Sequence, residues 1–306
     1  MIRLYVIGCG GIGGYLCDML PMVCTSIALD YLEKRGTVIQ KYLEEAGNCV
    51  LPSIVQSITL VDGDTFDPRN AIRQGEGAGT KLTQRLYKMN HSMARLTYLR
   101  NMHITGYNEY ITPANSEKII PVKVDPSEAA PENYTEFCNI AKNNARIYRD
   151  WFNTEDIPVI FLAVDNVKTR YEISKYAELF KNVLVINGGN EKTTGHVTIY
   201  ERRSYQALDP NIYEIFDNIR PDVDKRPDEI SCTTVSPKHD QIAITNNWIA
   251  LAMMEFFRHW ANSGTLDDFP EKGGRQVRRN EAILDAPALK MVPLTHRLIP
   301  QEANRQ

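Results

Sequence analysis

Two short stretches hold most of the side chains that could do chemistry in this chain. In Leu60–Gln74, LVDGDTFDPRNAIRQ, Asp62 and Asp64 sit two apart behind a β-branched run, and Asn70, Arg73 and Gln74 follow closely. The other stretch is Gly8-x-Gly10-x-x-Gly13, in the string GCGGIG. Glycines at this spacing allow a tight turn, close approach of a phosphate to backbone N–H groups, and tight packing of helix on strand. A helix that starts there adds free N–H groups and a partial positive charge. Arg73 carries a planar fork of donors that matches phosphate oxygens, and Asn70 can hydrogen-bond phosphate or ribose. Lys81, just after Gly79, adds a mobile cation. Two cations, an amide and a spare carboxylate are a donor set suited to a triphosphate.

The glycine turn alone does not separate NAD from ATP. A nicotinamide enzyme needs one acid at the end of the second strand, about 20 residues beyond the glycines, for the ribose. Here Asp62 and Asp64 end that strand, but only after an insertion. Asn70, Arg73 and Gln74 have no task in hydride transfer, so an NAD-dependent oxidoreductase is the weaker alternative.

The elements that would position these groups can be read in outline. Arg3–Ile7 reads as a buried strand leading into the glycine turn, and Tyr15, Leu16, Met19 and Leu20 mark the helix after it. About Pro21 to Pro52 reads as an insertion with a charged, partly helical piece. Ser57–Val61 is the second strand, and Leu82, Leu86 and Met89 mark a later helix. Residues 108–155 are polar and irregular, with a helix expected near 132–150. Val159–Val164 is a continuous apolar run, as expected of a strand covered on both faces, and Asp165-Asn166 closes it. A helix carrying Val167, Tyr171, Tyr176 and Leu179 follows. Val183–Ile186 and Gly195–Tyr200 read as further strands, residues 203–231 as a long loop. Ser236-Pro237 opens a helix with Ile242, Ile249, Met253, Phe256 and Trp260 at 3–4 spacing. Beyond about Gly264 the chain is polar and broken by prolines. Strands alternating with helices predict an α/β fold, a Rossmann-like doubly wound, mostly parallel sheet with helices on both faces.

Composition bounds the classes. The 306 residues are 43% hydrophobic and 24% charged, ordinary for a globular protein with a large core. A net charge of -3 gives no polybasic signature of nucleic-acid binding. No apolar run is read as approaching a membrane span of about 20 residues, and Met1-Ile-Arg runs straight into a strand rather than a signal peptide. The expectation is a cytoplasmic protein that engages neither nucleic acid nor membrane. None of the six cysteines forms a C-x-x-C pair, so zinc is not expected.

Four blocks in order, GCGGIG, DGDTFDPRNAIRQ, GTK and AVDNVKTR, resemble the ThiF/MoeB and ubiquitin-activating enzyme superfamily. They span about residues 4–170, and the second block is far more specific than the first. The resemblance implies an adenylation domain over 1–265, with a helical insertion at about 21–53, a crossover loop at about 203–231 and a C-terminal extension at 266–306. It implies ATP- and Mg²⁺-dependent adenylation of the C-terminal glycine of a ubiquitin-like β-grasp protein, in a homodimer. By match, Gly8, Gly10, Gly11 and Gly13 cradle phosphates, and Asp64, with Asp62 as the less favoured candidate, holds the ribose. Asn70, Arg73 and Lys81 take the polyphosphate, Gln74 shapes that pocket, and Asp165 holds Mg²⁺. A plain helix cap is the alternative for Asp165, and surface pairing or indirect support is preferred for Arg170. Arg73, Lys81 and Asp165 carry catalysis of the first step.

Cys232, in Ser231-Cys-Thr-Thr-Val-Ser-Pro237, is the candidate nucleophile for a thioester that would pass to a conjugating enzyme. It resembles the C-T-x-x-x-x-P of the ubiquitin-activating branch, with proline one residue early. A helix N-terminus and nearby Lys238 and His239 would favour its thiolate. Cys9, Cys17, Cys24 and Cys138 read as packing residues and His196 as a structural histidine. Zinc-binding cysteine pairs, a rhodanese-like or ubiquitin-fold domain and an N-terminal helical arm are not found in the sequence. A compact bacterial or phage-type activating enzyme is therefore expected ahead of the alternative, a sulfur-carrier adenylyltransferase of thiamin or molybdopterin type.

Overall fold

The computed structural model describes residues 2–34, 55–64, 103–122, 157–190, 193–220, 222, 243–264, 266, 269–270, 276–277, 279–285 and 290–294. In chain order these form β1 (Ile2–Ile7), α1 (Gly11–Lys34), β2 (Val55–Val61), β3 (His103–Tyr107), α2 (Ser116–Ile119), β4 (Ile157–Leu162) and α3 (Val167–Ala177). Then come β5 (Val183–Asn190), β6 (Thr194–Arg203), β7 (Gln206–Ala207), α4 (Ile212–Ile215), α5 (Ala243–Ser263), β8 (Phe269–Pro270), β9 (Gln276–Val277), β10 (Glu281–Asp285) and β11 (Lys290–Leu294).

Nine strands share one sheet in the order β11-β10-β6-β5-β4-β1-β2-β3, with β7 hairpinned onto β6. From β3 to β5 every neighbouring pair is parallel, whereas β6, β7, β10 and β11 join antiparallel. The expected parallel α/β sheet is therefore present, widened on one side by antiparallel strands.

The period of two in each strand divides the core. Leu4, Val6, Val159, Phe161, Leu184 and Ile186 face a cluster with α1 and α5, where the Phe161 and Phe257 rings meet edge to face at 5.5 Å. Tyr5, Ile7, Ile160, Leu162, Val183 and Val185 face the opposite cluster, with Ile173 and Tyr176 of α3. Both faces of β1, β4 and β5 are thus covered, which is why these segments read as unbroken apolar runs. At the far end of the sheet buried Glu201 accepts the Trp260 indole N–H at 2.7 Å and the Arg203 Nε at 2.6 Å.

Several boundaries differ from the sequence reading. The first helix does not give way to an insertion near Pro21; it runs through that proline to Lys34. Pro21 removes one backbone donor, and Thr25 Oγ1 donates to the Pro21 carbonyl at 2.8 Å. The stretch Gly11–Asp30 is also long and apolar enough to cross a membrane by length and composition, contrary to the expectation of no such run. Half of it is buried within the fold, packed against α5 and the sheet. Strand β3 was not foreseen. It is short, half-buried and contains Gly106, so it carries neither alternation nor an apolar run. The expected loop after residue 203 contains β7, α4 and the left-handed turn at Ser204 and Tyr205. Beyond residue 265, β10 and β11 extend the same sheet. The expected helices near 82–89 and 132–150 and the Ser236-Pro237 helix start lie outside the described residues.

Candidate functional site

The chain lays β1, β2 and β3 outward in one direction and then returns to place β4 and β5 on the other side of β1. The carboxyl ends of β1 and β4 therefore border the crevice where strand order reverses, the usual ligand site of an open α/β sheet. Gly8 leaves β1 with a φ of 89°, a conformation that side-chain-bearing residues rarely adopt. Its amide bonds the Val61 carbonyl at 2.8 Å, and a Cβ there would lie 2.8 Å from the Ala163 carbonyl oxygen. Gly13 has still less room: its Cβ would fall 1.8 Å from the Gly8 carbonyl oxygen. The Ala163 amide in turn donates to the Ile7 carbonyl at 2.8 Å. Gly11 is the first residue of α1, and the first turn of that helix carries no acidic side chain to compete with an anion. The turn is thus wedged against the end of β4 with the start of α1 at the crevice.

Asp62 binds the turn to β2. Its Oδ2 accepts the Cys9 amide at 2.6 Å and its Oδ1 accepts the Asp64 amide at 2.8 Å, and the residue is 8% exposed. Asp64 is half-buried, and its Oδ1 accepts the Tyr110 hydroxyl. The two acids therefore differ: Asp62 is committed to backbone, while Asp64 stands nearer the surface.

Asp165 is exposed at the end of β4. It is not the helix cap. Asn166 fills that place, accepting the Thr169 amide at 2.8 Å. Arg170, one turn into α3, is buried and donates to the Asn187 Oδ1, the Val164 carbonyl and, at 2.8 Å, the Gly188 carbonyl. It is therefore no surface ion pair; it joins the ends of β4 and β5 from beneath the crevice. Burial lowers this guanidinium to about 10, an effect that Asp165 opposes. His196 of β6 lies over Gly189, whose Cβ would approach its ring to 2.9 Å, and packs on Phe216 at 5.0 Å. Burial first, and the Arg170 charge second, lower its pKa to about 4.

Residues 34–260 match the ThiF family. The chain belongs to the ThiF family. The match begins after the glycine turn, which the geometry above supplies independently. Among solved structures the chain resembles E. coli MccB with succinimide (TM-score 0.55, 14% identity) and E. coli MccB with ATP (TM-score 0.52, 14% identity). It also resembles PaaA, solved with selenomethionine (TM-score 0.51, 13% identity). Each alignment covers 98% of this chain and 65% of the other, so the chain spans just under two thirds of the length of these neighbours. At such identities the likeness concerns the fold. No curated protein matches the chain.

Within this ThiF-family fold, Gly8, Gly10, Gly11, Gly13, Asp62, Asp64 and Asp165 all lie at the carboxyl ends of β1, β2 and β4. Asn70, Arg73, Gln74, Lys81 and Cys232 lie outside the described residues, as does Cys138. Cys9, Cys17 and Cys24 are buried, and burial pushes the Cys24 thiol to about 12, the state of a packing residue rather than a nucleophile. The sequence reading missed Tyr110, Asn187 and Asn246. Asn246 is fully buried in α5, and its Oδ1 accepts Asn190 Nδ2 at 2.5 Å. Asn246 falls at helical spacing with Ile249 and Met253, and a polar residue on that buried face was the available signal.

The His196 shift carries a pH dependence. The unfolded chain takes up a proton near 6.5, while the folded protein resists it until about 4. Stability should therefore fall as pH drops through this window, by up to about 3 kcal/mol from this group. Denaturant unfolding of the wild type and His196→Gln across the window checks this: the wild type should lose more stability on acidification than the variant.

Proposed function

We propose that the protein adenylates the C-terminal carboxylate of a peptide or small protein, using ATP. The observation that carries this reading is the wedged glycine turn. Its Gly8 conformation, the bare first turn of α1 and the Asp62 bond to the Cys9 amide hold backbone N–H groups in place at the crevice of a ThiF-family fold. Such a turn suits an anionic phosphate chain. Two structures of one neighbour support the same direction, since MccB has been solved with ATP and with MccA.

The reaction would form a bond from a carboxylate oxygen to the α-phosphorus and break the bond to the bridging oxygen, releasing pyrophosphate. The nucleophile is already ionised, so no general base is needed. The protein's task is placement and stabilisation of spreading negative charge. Arg73 and Lys81 would meet the phosphates, with Asn70 and Gln74 beside them. Asp165 would hold Mg²⁺, which when bound supplies charge neutralisation. Asp165 is an exposed carboxylate at the crevice and could reach such an ion. One carboxylate plus phosphate oxygens and waters suits Mg²⁺. Arg170 would keep the strand end bearing Asp165 fixed.

The finer reading is a ubiquitin-like protein as acyl donor, a thioester on Cys232, transfer to a conjugating enzyme, and a homodimer; it rests on the sequence motifs. ATP–pyrophosphate exchange tests the first step. With Mg²⁺ and a β-grasp protein or peptide ending in a free glycine carboxylate, exchange should appear and depend on that partner. Asp165→Asn should lower it about a hundredfold. Lack of exchange by a folded sample with every candidate encoded nearby would count against the reading. In Cys232→Ala, exchange should persist while a reductant-sensitive adduct disappears; an adduct that remains places the nucleophile elsewhere.

A further inference from the structure

We propose that Tyr110 is a positioning residue: it fixes Asp64 for contact with the ribose hydroxyls of the nucleotide and so gives the site its preference for a ribonucleotide. This rests on the reading of the crevice as an ATP site.

In a sheet of this winding, an acid at the end of β2 meets the sugar. Asp62 gives one carboxylate oxygen to the Cys9 amide and the other to the Asp64 amide, inside the fold. Asp64, two residues on and half-buried, is the acid on the open side. An aspartate at the end of a strand would ordinarily sample several rotamers. Here the Tyr110 hydroxyl donates to its Oδ1. A carboxylate has about four acceptor sites, so it can accept from the Tyr110 hydroxyl and from a sugar hydroxyl at once.

The contact is built rather than incidental. Gly63, between the two acids, lies flat against the Tyr110 ring: a Cβ at Gly63 would be 2.8 Å from two ring carbons. Tyr110 itself sits on a pinned turn after β3. The Asn115 side-chain amide donates to the Tyr110 carbonyl at 2.9 Å, and the same side chain accepts the Thr112 amide at 2.7 Å. The Asp62 amide donates to the Tyr107 carbonyl at 3.1 Å, which sets the end of β2 beside that turn. One loop thus brings a phenol, and the end of β2 a glycine that admits it, to the same carboxylate.

Calorimetric titration of the full chain with ATP and with 2′-deoxy-ATP tests the proposal. The wild type should bind ATP more tightly. Tyr110→Phe keeps the ring and removes the hydroxyl. It should weaken ATP about tenfold, the scale of a hydrogen bond to a charged group, and weaken 2′-deoxy-ATP, which keeps only the 3′-hydroxyl, less. Gly63→Ala displaces the ring without touching the hydroxyl and should lose the same preference; thermal melting identifies a variant that is unfolded. An unchanged ATP to 2′-deoxy-ATP ratio in folded Tyr110→Phe, whether both affinities fall or neither does, overturns the proposal but leaves the ATP site standing. A wild type that binds neither nucleotide overturns the ATP reading and the proposal with it.

Discussion

At the centre of the molecule there is no room for side chains. Gly8 and Gly13 meet each other and Ala163 at distances that exclude a Cβ, and this contact places the end of β1, the start of α1 and the end of β4 against one another. The described residues of the candidate site are arranged around it. Asp62 ties the turn to β2 through the Cys9 amide, and Arg170 ties the end of β4 to β5 through Val164, Asn187 and Gly188. The crevice is therefore held from both sides by one buried charge of each sign, each bonded to backbone. A buried charge is costly unless it is fully hydrogen-bonded, and both of these have several partners.

This division of labour separates residues that form the site from those that would act in it. Asp62 and Arg170 look inward and bond to the fold. Asp64 and Asp165 stand at or near the surface of the same strand ends, each following a residue or two behind an inward-turned partner or bonded carbonyl. Asp64, bonded to the Tyr110 hydroxyl, keeps its orientation before a ligand arrives, which lowers the cost of binding.

Much of this was legible in the sequence because it depends on local patterns. The buried strands at 3–7, 57–61, 159–164 and 183–186 are apolar runs, and the glycine spacing dictates the turn between strand and helix. What was not legible depends on contacts between distant segments. No local pattern marks His103–Tyr107 as a strand, since it is half-buried and gains its pairing only from β2. Nor does anything near Tyr110 announce Asp64, forty-six residues earlier, as its partner. Pro21 misled because proline usually ends helices; here packing of α1 against α5 and the sheet outweighs one missing donor. The polar tail gave no sign of β10 and β11, because β10 gains its pairing only from distant β6 and β11 pairs onto β10.

On this reading the turn wedged between β1 and β4 would hold the phosphates of ATP. The direct measurement is a crystal structure of the protein with a non-hydrolysable ATP analogue and Mg²⁺. The α-phosphate should lie at the backbone amides of Gly10 and Gly11, the metal on Asp165 and the ribose at Asp64. A nucleotide bound elsewhere, or an unaltered empty crevice at saturating analogue, would contradict this reading.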